Sequence, residues 1–153
     1  LGSFPTGVTV ITTGEGDQRH GMTASSFNSV SLDPPLVLFS AGSQSGTLAA
    51  LRKNGSFAIN LLASDQSDLC YRFAKGTPAQ RFDGLETRPA AATGSPVLKG
   101  SLGHFDCEVH QIVPAGDHCV VIGRVVSMEQ TDAGEPLTFW GGKLQSTEGW
   151  SRK

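Results

Sequence analysis

The sequence predicts a mainly β domain: an antiparallel barrel, closed or nearly closed, with short helices. Three observations point there. β-branched, alternating segments recur along the chain. The 19 glycines and 8 prolines in 153 residues supply turns at short intervals. Only two helix-like segments interrupt the strands, without the β-α-β alternation of a doubly wound sheet. With 38% hydrophobic and 17% charged residues, the chain can bury a core and fits neither a charged disordered chain nor a coiled coil. Its length suits one domain, residues 1–153.

Each element has a local reason. Residues 7–13 (GVTVITT) are β-branched and alternating, 14–17 (GEGD) have turn chemistry, and 20–26 resume an extended pattern, together a hairpin. Residues 29–32 continue it as far as Asp33-Pro34-Pro35, where consecutive prolines exclude a helix and lead into an apolar strand, 36–40. Residues 41–44 read as loop. A helix follows over 45–53, because Leu48 and Leu51 share a face, Arg52 and Lys53 fill the last turn, and Asn54-Gly55 stops it. Residues 56–62 (SFAINLL) make another strand. Ser64-Asp65 opens a second helix in which Leu69 and Phe73 lie four apart, ending near Lys75-Gly76. The stretch 76–101 reads mostly as loop. Two long strands, 102–113 and 118–128, joined by Pro114-Ala-Gly-Asp, and a short strand, 137–140, complete the series.

Several function classes fall away on composition. A net charge of -2 creates no global field toward nucleic acid or an anionic membrane, so any anionic ligand must be held by local groups. The longest aliphatic-aromatic runs, such as 36–39, are far below the roughly twenty residues needed to span a bilayer as a helix. The first residues, Leu-Gly-Ser-Phe-Pro, show no basic segment with an apolar stretch of signal-peptide length, and the absence of an initial Met suggests a trimmed chain. Cys70, Cys107 and Cys119 are an odd set without C-x-x-C, which fits buried reduced thiols and a cytoplasmic protein.

The most informative motif is Ser40-Ala-Gly-Ser-Gln-Ser-Gly-Thr47, which leaves a strand and enters a helix. A helix start offers free N–H groups and a partial positive charge, and Ser45 and Thr47 add hydroxyls, a combination that suits a phosphate. The plainer reading is that Ser45 only caps the helix. Lys53 reaches the same region only if the fold brings it back. Gly14-Glu-Gly16 resembles half of a dinucleotide fingerprint, but it lacks the third glycine and precedes a strand, so it reads as a hairpin turn. Neither G-x-S-x-G nor a Walker loop occurs. His104, Asp106, Glu108 and His110 alternate with Phe105, Cys107 and Val109, putting four metal-ligating types on one strand face. Residues that far apart along a strand diverge too much for one ion, and a polar outer face is the ordinary alternative. His118 follows Gly116-Asp117, and the acid could orient its ring toward an anionic or amide-bearing ligand.

Together the segments are more specific than any one of them. Phe4-Pro-Thr-Gly-Val-Thr-Val, Gly21-Met-Thr-Ala-Ser-Ser-Phe27, Ser29-Val-Ser-Leu-Asp-Pro-Pro-Leu-Val37, the Ser45-x-Thr47 helix start, Arg81-Phe-x-Gly84 and Gly116-Asp-His118 occur in this order. From residue 4 to about 143 the chain resembles the flavin reductase-like family, which includes the reductase components of two-component flavin monooxygenases. The resemblance implies a split β-barrel that works as a homodimer, binds FMN or FAD, oxidises NADH or NADPH and hands reduced flavin to a monooxygenase. It implies that Thr23, Ala24, Ser25 and Ser26 line the isoalloxazine and ribityl chain through backbone and hydroxyl bonds, with Ser40 and Ala41 alongside. Ser45, Gly46 and Thr47 match the phosphate-binding turn, Arg81 is a further flavin contact, and His118 borders the nicotinamide. No residue is implied as a catalytic acid, base or nucleophile, and no metal is implied. The chain departs from the family at Trp140-Gly-Gly-Lys-Leu144, where an R-G-x-Y-like segment is usual, and it lacks the usual helix before F-P-T-G. Two rival readings follow: a flavin-binding protein without efficient NAD(P)H oxidation, and a metal-dependent binding protein using the 104–110 face.

Overall fold

Residues 1–148 are described by the computed structural model of the protein. Strand β1 (Thr6–Gly7) leads into β2 (Thr9–Thr13), which returns through a 3-10 turn at Gly16–Gln18 as β3 (His20–Ala24). The turn needs Gly14, whose φ is 84° and whose Cβ, if present, would collide with the Gln18 carbonyl. Strands β4 (Asn28–Leu32) and β5 (Pro35–Gly42) precede helix α1 (Gly46–Asn54). The Leu48 N–H donates to the Ser45 hydroxyl at 3.3 Å as the N-cap, and Gly55 at φ 71° ends the helix by donating to the Leu51 carbonyl. Strand β6 (Ser56–Leu61), helices α2 (Ser67–Lys75) and α3 (Pro78–Arg81), and strands β7 (Thr87–Pro89) and β8 (Pro96–Leu98) follow. The long strands β9 (Gly103–Ala115) and β10 (His118–Gln130) and the hairpin β11 (Leu137–Trp140) and β12 (Lys143–Ser146) close the described chain.

Seven strands form one antiparallel sheet in the order β3-β2-β6-β9-β10-β5-β4, with a smaller sheet β1-β11-β12 and the hairpin β7-β8. Alternation along the strands divides the apolar residues between two cores. One holds Ile11, Phe57, Ile59, Phe39, Val121 and Cys107 under Leu48 and Leu51 of α1. The other holds Val8, Val10 and Leu62 against Phe73, Phe82, Leu98 and Leu137. Because the first core draws on β2 and β3 as well as β5 and β10, the sheet must coil around it. The connection from β3 to β4 is tied to β5: the Ser40 N–H donates to the hydroxyl of Ser26 at 2.8 Å.

Four departures from the sequence reading have identifiable causes. The second helix starts at Ser67, not Ser64, because Ala63 bridges Pro136, the Ser64 N–H donates to the Glu135 carbonyl at 2.7 Å, and the Gln66 side chain takes the Ala63 N–H. Residues 76–101 are largely structured. Thr77 and Gln80 form a capping box around Pro78 that starts α3, and the Leu98 N–H of β8 is captured by the Asn60 carboxamide at 2.9 Å. Strand β12 exists because Gly141 and Gly142, at φ 62° and 78°, allow a two-residue reversal. Finally, the 104–106 part of β9 is not a polar outer face: His104 and Asp106 are buried beneath the 87–98 segment. Cys107 and Cys119 are buried free thiols as expected, whereas Cys70 is half-buried.

Candidate functional site

Strand β5 ends at Gly42, and the chain enters α1 through a turn in which the Ser45 N–H donates to the Gly42 carbonyl at 2.9 Å. Ser45 uses its hydroxyl oxygen to cap Leu48 and directs its O–H to the Met22 sulfur at 3.8 Å. The N–H groups of Gly46 and Thr47 belong to the first helical turn and have no carbonyl four residues back to bond. The space beside Gly42 and Gly46 is open, since a Cβ on either would meet nothing within 4 Å. Thr47 is itself buried, at 3% exposure.

The turn between β9 and β10 is tied to this helix entrance. Ser43 donates both its N–H, at 3.0 Å, and its hydroxyl, at 3.1 Å, to the Asp117 carbonyl. His118 is the strand partner of Gly42, and its Nδ1 lies 2.7 Å from Asp117 Oδ1. This hydrogen bond, with the attraction of the ring, holds the Asp117 carboxyl below its ordinary range. With Nδ1 engaged, the half-exposed ring presents Nε2 to a ligand. Ser43 was missed in the sequence because its partner lies 74 residues away, a separation that no local pattern reports.

The margin of β3 completes the arrangement. Ser25 and Ser26 are exposed, and Ser26 is bonded to Ser40. Met22 of β3 lies against the cap, with Sδ 3.8 Å from Ser45 Oγ. Arg81 donates from Nε to the Gly76 carbonyl at 2.8 Å and from a terminal nitrogen to the Gly21 carbonyl at 2.6 Å, so it clasps α3 to β3. Partial burial lowers its pKa, and the guanidinium stays charged. Three expected contacts change character. Thr23 donates its hydroxyl to the Cys70 carbonyl of α2 at 2.6 Å, Ala24 is buried with its carbonyl bonded by Thr9, and the Ala41 side chain lies in the first core. Ala41 is thus fully buried and Ala24 nearly so, and the Thr23 hydroxyl is already spent on α2. Lys53 does not return to the helix start: eight residues of α1 separate it from Ser45, about 12 Å of rise. Arg52, also in the last turn, lies 3.7 Å from the thiol of Cys119.

Residues 1–148 match the family described as flavin reductase like domain. A flavin-dependent monooxygenase reductase subunit from Rhodococcus jostii is 40% identical over 148 residues, spanning 97% of this chain and 75% of its own. An NADH-dependent flavin reductase from a Rhodococcus species is 42% identical over 151 residues, spanning 97% of this chain and 83% of that protein. The crystal structure of a nitrilotriacetate monooxygenase component B homologue from Mycobacterium thermoresistibile superposes with a TM-score of 0.90 at 39% identity, covering 96% of this chain and 82% of that one. The chain belongs to the flavin reductase-like family.

For a flavin reductase-like protein, the helix entrance fits a phosphate-bearing flavin. The positive end of a nine-residue helix begins there, at Gly46, beside open space. The 104–110 face is committed otherwise. Asp106 accepts from the Ala92 N–H at 2.8 Å, the Thr93 N–H at 3.1 Å and the Thr93 hydroxyl at 2.5 Å, and Glu108 pairs with Arg124 at 2.8 Å. Among the described residues, no group of three His, Cys, Asp or Glu side chains is gathered so as to hold a metal ion. None of the described helices is long and apolar enough to cross a membrane. At the family's usual R-G-x-Y position, Leu144 pairs with Phe139 and packs on the second core.

Proposed function

We propose that this chain is the reductase of a two-component flavin monooxygenase, using NADH to reduce FMN or FAD and passing the reduced flavin to an oxygenase partner. The observation that carries this reading is the junction of the α1 entrance with the Asp117-His118 turn through Ser43. It joins a helix start suited to a phosphate with an imidazole held by Asp117, which supports the reading. The names of the relatives, a reductase subunit of a flavin-dependent monooxygenase and an NADH-dependent flavin reductase, support the same reading.

When bound, the flavin supplies the hydride acceptor, and the nicotinamide the donor. The protein's share is positioning. Ser45, Gly46 and Thr47 hold the phosphate, Ser25, Ser26 and Ser40 line the flavin where the β3–β4 connection is bonded to β5, and Arg81 keeps the β3 margin in place through Gly21. His118 donates or accepts at Nε2 toward the nicotinamide side, with its ring angle set by Asp117. Such positioning brings reacting atoms to about 3 to 3.5 Å and excludes water, which is what hydride transfer requires of a protein.

In this reading the coiled seven-stranded sheet is the family's split barrel, in a single domain working as a homodimer in the cytoplasm. The exposed apolar residues Val30, Leu32 and Met128, at 46%, 94% and 54%, favour a second copy as their cover. The test is steady-state oxidation of NADH and of NADPH by the purified protein under air, with FMN, FAD, riboflavin or no flavin. Flavin-dependent consumption of NADH is the expected result. Flavin binding, seen as fluorescence quenching, without consumption of either nucleotide would reduce the protein to a flavin carrier and overturn the proposal.

A further inference from the structure

Away from the α1 entrance, the outer face of β2, β6 and β9 carries four buried polar side chains in a row: Thr12, Asn60, His104 and Asp106. Three are fully used. Thr12 donates to the Pro96 carbonyl, Asn60 bonds the Val10 carbonyl, Thr12 and the Leu98 N–H, and Asp106 takes three donors from 92–93. The fourth, His104, is only 3% exposed, and its ring has no hydrogen-bond partner among the described residues. Its cross-strand neighbour Glu129 is taken by Arg88 instead. The His104 ring nitrogens are nevertheless not shut off from solvent, so they face accessible space beside the strand.

That space is a cavity of about 410 Å³, within the range of small-molecule sites, and His104 lines it. Its walls include Val97, Leu98 and Leu102, and Ser101 in the same wall has a buried hydroxyl that is also without a partner. The charges at the rim cancel in pairs: Arg88 with Glu129, and Lys99 with Glu86 at 2.9 Å. Burial also pushes the His104 pKa down, against the opposing pull of Glu129 and Asp106, with Arg88 adding to the lowering. An anionic ligand would find no uncompensated cation here, and a cationic one no free carboxylate.

We propose that this cavity is a second ligand site, separate from the flavin site, for a small neutral hydroxyaromatic molecule whose hydroxyl pairs with the His104 ring. A neutral imidazole has one donor and one acceptor nitrogen, and a phenolic hydroxyl can serve either. An aromatic body fills apolar walls with few rotatable bonds to freeze on binding. Discrimination comes from the ring nitrogen, because a ligand without the hydroxyl leaves it unpaired.

The probe is 2-naphthol, titrated by calorimetry into the full chain at pH 7, with FMN absent and again with FMN in excess. Saturable binding of one equivalent is expected, unchanged by FMN. Naphthalene, which has the same body without the hydroxyl, should bind at least tenfold more weakly, and 2-naphthoate should not bind. His104→Phe, which fills part of the space and removes both nitrogens, should abolish 2-naphthol binding while NADH oxidation with FMN stays unchanged. Because that variant could misfold, the comparison of naphthol with naphthalene on the unaltered protein stands as an independent test. Absence of saturable naphthol binding, equal affinity for naphthalene, or displacement by FMN would each overturn the proposal.

Discussion

Replacing Ser45 with glycine separates the two tasks of this residue. Its hydroxyl oxygen caps α1 at Leu48, and its hydroxyl proton, directed at the Met22 sulfur in the unliganded chain, turns to the flavin phosphate in the proposed complex. Glycine is itself an acceptable N-cap and costs only a few tenths of a kcal/mol there, whereas alanine costs about 1 kcal/mol. Both remove the donor to the phosphate. A hydrogen bond to a charged group contributes about 1.5–3 kcal/mol, which at 1.4 kcal/mol per decade is about a 10- to 150-fold rise in the FMN Kd. Riboflavin has no phosphate, so its Kd should move less than about twofold. Fluorescence quenching of FMN and riboflavin, measured in parallel for Ser45→Gly and Ser45→Ala, reads the affinities. Thermal unfolding should separate the variants, with only the alanine form losing roughly 3 °C. Equal weakening of FMN and riboflavin by Ser45→Gly would refute the assignment of the α1 entrance to the phosphate.

Other expectations follow from the same geometry. His118→Ala should raise the KM for NADH at least tenfold while the FMN Kd changes little; an unchanged KM would remove the ring from the nucleotide side. Asp106→Asn disturbs three bonds that hold residues 92–93, so a loss of about 2 kcal/mol, roughly 4–8 °C in Tm, is expected by circular dichroism with flavin affinity retained. Burial, reinforced by Asp106, pushes the Cys107 thiol up to about 12 from an ordinary value of 9.0. The folded chain therefore keeps a proton that the unfolded chain releases above pH ~9, and this contribution to stability is lost as pH rises toward ~12, by up to about 1.4 kcal/mol per unit. Urea midpoints measured against pH should show this alkaline slope, and Cys107→Ala should flatten it; the same slope in both proteins would contradict the cause given. With a thiol reagent at pH 8, the native protein should react at the half-buried Cys70 well before Cys107 and Cys119, a ranking that equal rates at all three would exclude.

Much of the fold was legible because its signals are local. The α1 boundaries could be read from Ser45 and Gly55, whose cap geometry depends only on neighbours in sequence. The β2–β3 turn followed from Gly14, and the two long strands from their runs of alternating residues. Elements that are short and held from outside were not legible. Strand β8 depends on Asn60, 38 residues earlier, and the late start of α2 depends on a bridge to Pro136. The capping box at Thr77 and Gln80 was present as a pattern, and α3 could have been found from it.

At the site, the sequence by itself determined which chemistry is available: a serine-capped helix start, an acid beside a histidine, small residues along a strand margin. It determined family membership as well, since these motifs occur in order along nearly the whole chain. Only the tertiary structure decided which atoms are free. Thr23 looks like a ligand hydroxyl until α2 supplies the Cys70 carbonyl, and Ala41 looks like a site residue until strand parity turns its side chain into the core. His104 looks like part of a solvated face until the 87–98 segment covers it and leaves its ring unpartnered. The physical reason is common to all three. Residue type sets what a group can bond, but whether it is already bonded or shielded from water depends on partners distant in sequence, which only the coiling of the sheet brings near.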